Sequence, residues 1–132
     1  MPNWLRVVLA VVVGFLVWFA VATVGNLAIR RLIPGYADVE KAMDFSLGML
    51  IARLVLGAIA SLAAGAACVA IGRGARVAVY LFAVLLLALF VPVHASLWTR
   101  FPVWYHIVFL GSLIPLVIVG ARLPGSRGVR AA

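Results

Sequence analysis

Chemistry in this sequence is confined to a few polar residues set among long apolar runs. Arg53 stands inside LGMLIARLVLGAIASLAAGAACVAIG (Leu47 to Gly72), about seven residues from the start of that run, or roughly 10 Å along a helix. A guanidinium at that depth needs a partner or water, because its side chain reaches only part of the way back to the interface. Asp38, Glu40, Asp44 or a carbonyl freed by a proline could supply one, although Asp44, nine residues earlier, would lie on the opposite helical face. His94 and His106 are twelve residues apart on the two arms of an expected hairpin, each about a turn from its loop, so they could meet at one depth. Two such imidazoles could hydrogen-bond, shuttle protons or ligate a metal or haem. Two ligands do not close a metal site and the loop acids have no metal-binding spacing, so no cofactor is expected. Asn26, near the far end of the first apolar run, reads as a local hydrogen-bonding residue. The sequence holds no Ser-His-Asp order, glycine-rich phosphate loop or HExxH, and no catalytic residue is assigned.

The elements that must position these residues are membrane spans. With 132 residues, 67% of them hydrophobic and 11% charged, and a mean hydropathy of +1.27, the composition lies outside that of soluble domains. The net charge of +8 does not point to nucleic acid, since the arginines sit at the ends of apolar runs rather than in a stripe interleaved with aromatics. Cys68 is the single cysteine, which excludes an internal disulfide, a CxxC pair and a thiolate zinc site.

Four spans are expected, at about 4–29, 47–72, 77–97 and 103–121, forming an all-α, antiparallel four-helix transmembrane bundle in one domain. The first covers 26 residues, roughly 39 Å against about 30 Å of hydrocarbon, and must tilt or project. Ala20-Val21-Ala22 has the form of a signal-peptide cleavage site, but the apolar run continues to Ile29 before Arg30 and Arg31, as a true span does. Residues 30–46, RRLIPGYADVEKAMDFS, form the largest loop and hold every acidic residue. There Pro34-Gly35 reads as a turn. Asp38 is expected to cap a short helix through Phe45, with Val39, Ala42, Met43 and Phe45 on the membrane surface, and Asp44 or Ser46 to cap the second span. Pro92 and Pro115 free the carbonyls of Ala88 and Gly111. The tail from 122 to 132 is basic and expected to be disordered. Six cations (Arg6, Arg73, Arg76, Arg122, Arg127, Arg130) fall on one side and four (Arg30, Arg31, Lys41, Arg100) on the other. Both termini are therefore expected in the cytoplasm of a bacterial inner membrane. Trp98, Phe101, Trp104 and Tyr105 gather at the opposite boundary as an aromatic belt.

Gly57, Ser61 and Gly65 fall four apart, with Ala60, Ala64 and Cys68 beside them, so the second span carries a seam of small side chains where another backbone can approach. The segment PVWYHIVFLGSLIPLVIVGARL (Pro102 to Leu123) and the AAGAACVAIGR end of the second span resemble small uncharacterised bacterial four-helix inner-membrane proteins. These share a loop after the first span, a Pro-Trp opening of the last helix and a Gly-Ala-Arg-Leu close; the resemblance implies fold and location, and no activity. A chain this small leaves most of each helix facing lipid unless it finds partners. The expectation is therefore a non-enzymatic accessory or scaffold subunit, self-associated or docked on a larger membrane complex through the small-residue seam. The rival is a small oligomeric transporter or channel, with Arg53 lining an outward-facing vestibule for an anionic or lipid-like ligand.

Overall fold

The computed structural model of the chain describes residues 2–131 except Lys41, Met43 and Gly74, with side chains as far as Leu123. The described residues form five helices and no strand: α1 (Asn3–Leu32), α2 (Tyr36–Glu40), α3 (Leu47–Ile71), α4 (Arg76–Ser96) and α5 (Val103–Ala131). All but α2 are long and apolar enough to cross a membrane, and they pack together as an antiparallel bundle. This is a multi-pass integral membrane protein. In hydrocarbon a backbone N–H finds no partner outside its own segment, so an uninterrupted apolar run becomes a helix over its full length.

The ends of the helices follow from local chemistry. Ile33 precedes Pro34, which disfavours helical backbone there, and it is extended with ψ 113°. Gly35 then turns the chain with φ +80°. The connector helix begins at Tyr36, two residues before the expected Asp38 cap, and ends at Glu40 instead of Phe45. Asp38 lies inside its first turn, where a negative charge suits the helix dipole. Of the two caps considered for α3, Ser46 serves: its hydroxyl accepts from the Met49 amide at 3.3 Å. Helix α4 runs unbroken through Pro92. The tail expected to be disordered continues α5 to Ala131.

Helix α3 is central, lying between α1 and α5, while α4 closes the bundle against α5 and α1. The small-residue seam makes these contacts. A Cβ at Gly65 would collide with the Val117 carbonyl, and one at Gly120 would collide with the Leu62 carbonyl, so α3 and α5 touch backbone to backbone. On the neighbouring side, Trp18 Nε1–H donates to Ser61 Oγ at 3.1 Å, and Ser61 Oγ–H donates to the Gly57 carbonyl at 2.8 Å. Ala60, Ala64 and Cys68 are fully buried. The seam read from sequence as a surface for association is thus engaged inside one chain. Outward-facing Leu16, Val24, Val55 and Val77 remain more than half exposed, as lipid-facing side chains are.

Candidate functional site

The C-terminal ends of α1 and α4 and the N-terminal ends of α3 and α5 come together at one end of the bundle, the end that carries the acidic connector 33–46. Arg53 sits two turns into α3 at that end, half-buried. Its hydrogen-bond partners are neither the carboxylates nor the proline-freed carbonyl considered from the sequence. Arg53 Nη1–H donates to the Tyr36 hydroxyl at 2.8 Å, and Nε–H donates to the Tyr105 hydroxyl at 3.3 Å. The Tyr36 hydroxyl in turn donates its O–H to Asn26 Oδ1 at 3.3 Å. The Phe45 ring lies 4.7 Å from the Arg53 guanidinium carbon and stacks between Tyr36 and Phe101. A cation over an aromatic face gains about 0.5–2 kcal/mol. Phe45 therefore closes over the arginine rather than resting on the membrane surface. The expected aromatic belt divides likewise: Trp98 and Trp104 are exposed, whereas Phe101 and Tyr105 are turned inward and buried.

One connector carboxylate, Glu40, is paired with another cation. Arg30, at the end of α1, donates Nε–H to both Glu40 oxygens at 2.7 and 2.8 Å, pinning α2 to α1. That bond, with help from Asn26 and from the nearby charge of Arg53, holds the Glu40 carboxyl below the usual carboxylate range, against the opposing cost of its partial desolvation. Asp44 is exposed in the extended segment before α3 and takes no part in the cavity; its backbone amide donates to the Val39 carbonyl at 3.3 Å. Glu40 and Asp44 are thus both turned away from Arg53 as direct partners: one is held by Arg30, and the other precedes the helix.

His94 and His106 meet. Their Nδ1 atoms are 2.7 Å apart, and His106 Nε2 lies 3.3 Å from the Trp98 carbonyl. A carbonyl only accepts, so His106 carries its proton on Nε2 and presents a bare Nδ1; the shared proton then belongs to His94 Nδ1. In this neutral pair His94 Nε2 is left as an acceptor. The Nδ1 separation is that of a hydrogen bond and is shorter than the roughly 3.3 Å between two nitrogens of one tetrahedral zinc. The described residues contain no cluster of three or more His, Cys, Asp or Glu side chains that could hold a metal.

Arg53, Asn26 and His94 all face one cavity of about 450 Å³, within the roughly 300–1,000 Å³ of ligand sites. Its walls are Trp18, Leu56, Gly57, Phe90 and Phe109. Toward the other end of the bundle it is blind, because α1 and α4 meet there: a Cβ at Gly14 would come within 3.0 Å of the Phe82 ring, and Phe15 packs edge-on to that ring at 5.1 Å. Phe19 and Leu27 of α1 and Val93 of α4 line the cavity yet are 44%, 48% and 41% exposed, so its lining reaches the apolar flank between α1 and α4, and half-exposed Arg30 carries it toward the connector. Tyr36, Phe45 and Tyr105 were not singled out as partners of Arg53 in the sequence; tyrosines near a span boundary read as interface anchors. The chain matches no family model, no curated protein and no solved structure, and its function is read from this cavity.

Proposed function

We propose that the protein binds an amphiphilic anion, a lipid-like molecule with one acidic head group, taken from the leaflet at its acidic end. One observation carries this reading. Arg53 faces a cavity whose walls are largely apolar but also include Asn26, His94 and the Glu40-paired Arg30, and it is held by two neutral hydroxyls with no salt bridge to a carboxylate among the described residues, so the site has a net positive charge to offer. Intramembrane charges are costly and ordinarily neutralised, and one left without a carboxylate beside a largely apolar wall suits an anionic head with a hydrocarbon tail. The lining exposed on the apolar flank between α1 and α4 supports lateral entry. The blind floor at Gly14 and Phe82 supports a vestibule that holds its ligand rather than a continuous pore. Sorting of the cations supports placing this end outside the cytoplasm. A scaffold role through the small-residue seam is the weaker reading, because Gly65 and Ser61 are already covered by α5 and α1.

The test uses cis-parinaric acid, a fluorescent long-chain carboxylate, added to the purified protein in a neutral detergent. Wild type binds the acid and discriminates against its uncharged methyl ester. Arg53→Gln weakens binding of the acid by about tenfold or more, the effect of losing a charge-assisted hydrogen bond. Gly57→Leu fills the cavity beside Phe109 and also reduces binding. Equal affinity of wild type for acid and ester, or unchanged binding in Arg53→Gln, would sink the reading.

A further inference from the structure

We infer that the head group this site prefers is a phosphate monoester bearing a P–OH, over an acidic group that offers oxygen acceptors alone. This inference rests on the anion-binding reading above and adds to it the direction of each hydrogen bond. The guanidinium of Arg53 keeps N–H groups beyond those given to Tyr36 and Tyr105, and the Tyr105 hydroxyl, which accepts from Arg53, keeps its own proton. These are donors for anionic oxygens. His94 supplies the opposite polarity. With His106 Nε2–H on the Trp98 carbonyl and His94 Nδ1–H on His106 Nδ1, the remaining His94 nitrogen, Nε2, is an acceptor without a partner in the chain. His94 lines the cavity, and Nε2 is its ring nitrogen left to meet a ligand there.

Tyr105 brings the two polarities side by side: its hydroxyl holds Arg53 and its ring stacks on the His94 imidazole at 6.0 Å between centroids. A carboxylate or a sulfate ester satisfies the donors and leaves His94 Nε2 facing an oxygen lone pair. A phosphate monoester carrying one proton satisfies both, P–O⁻ toward Arg53 and Tyr105 and P–OH toward Nε2. A site built to pair a ligand hydroxyl discriminates strongly against analogues lacking it, because its own buried group is then unpaired.

Decyl phosphate and decyl sulfate have the same tail and a tetrahedral head, and at pH 6 about half of the phosphate carries a P–OH whereas the sulfate carries none. Native mass spectrometry from a non-ionic detergent counts each of them bound to the full chain. Decyl phosphate should bind about tenfold tighter than decyl sulfate. Arg53→Gln should weaken both. His94→Phe, which keeps a ring against Phe109 and Tyr105, should equalise the two, and His94→Gln, which retains an acceptor, should keep the preference. Inorganic phosphate should bind far more weakly than decyl phosphate; equal binding would make the ligand a free phosphate and overturn the lipid source. Arg53-dependent binding of both decyl compounds with equal affinity overturns this inference alone, as does a phosphate preference that survives in His94→Phe. Binding of neither compound to wild type overturns the anion-binding reading together with it.

Discussion

A guanidinium held by phenol hydroxyls differs from one held by a carboxylate in that its charge stays available. Tyr36 and Tyr105 orient Arg53 without neutralising it, and Phe45 covers it without competing for its N–H groups. Removing either hydroxyl leaves a donor of a half-buried cation unpaired. Tyr36→Phe and Tyr105→Phe should each lower stability by about 1.5–3 kcal/mol, measured by thermal unfolding in detergent. The Tyr36 change should also free Asn26, whose Oδ1 it occupies. A loss well below 1 kcal/mol in both variants would mean that water already serves Arg53. At this scale the sequence was partly legible. Depth along each span brings Arg53, His94 and His106 to one end, and hairpin spacing makes the two histidines meet. The tyrosines were not legible as partners, because the fold of the connector places Tyr36: the Pro34-Gly35 turn reverses the chain and delivers its ring, fully buried, beneath a helix only five residues long.

Between elements, the tightest contact is α3 against α5, where Gly65 faces the Val117 carbonyl and Gly120 faces the Leu62 carbonyl. Neither glycine can gain a methyl group without moving a backbone. Gly65→Ala should cost about 1–3 kcal/mol or more, as overpacking does, whereas Gly111→Ala, with nothing within 4 Å of its Cβ, should be neutral or stabilising by up to about 1 kcal/mol. Thermal unfolding of the two variants side by side decides the point, and equal effects would contradict the close approach. The connector makes a different prediction. Glu40 has its pKa held down by Arg30, so the tether of α2 to α1 is fully present above the ordinary carboxylate value of 4.5 and is lost as pH falls through the lower folded value. Hydrogen exchange of the amides in α2, corrected for intrinsic rates, should accelerate across that acid range. In Glu40→Gln it should be fast at neutral pH and nearly independent of pH. The seam of small residues was legible as a packing face, but its partner was not: spacing on α3 says that a backbone can come close and says nothing of whether that backbone belongs to the same chain.

For the whole molecule, composition and run length sufficed to define four membrane-crossing helices in one bundle, since hydrocarbon leaves the backbone few alternatives. The cavity was beyond reach of such patterns, because its lining is assembled from side chains of α1, α3, α4 and α5 that meet only in the fold. The orientation expected from the cations is open to a direct test. Asp38→Cys should react with a membrane-impermeant maleimide added outside intact cells, and Arg76→Cys should react only after lysis, while native Cys68, fully buried, gives a low background. The reverse labelling would invert the topology and move the site to the cytoplasmic leaflet. The reach of the cavity lining to the apolar flank has a consequence for how occupancy should be expressed. A ligand that arrives sideways never crosses water, so the quantity governing how often the site is filled is the mole fraction of that ligand among its neighbours in the leaflet. Dilution of the cell suspension would leave it unchanged, and a shift in membrane composition would alter it.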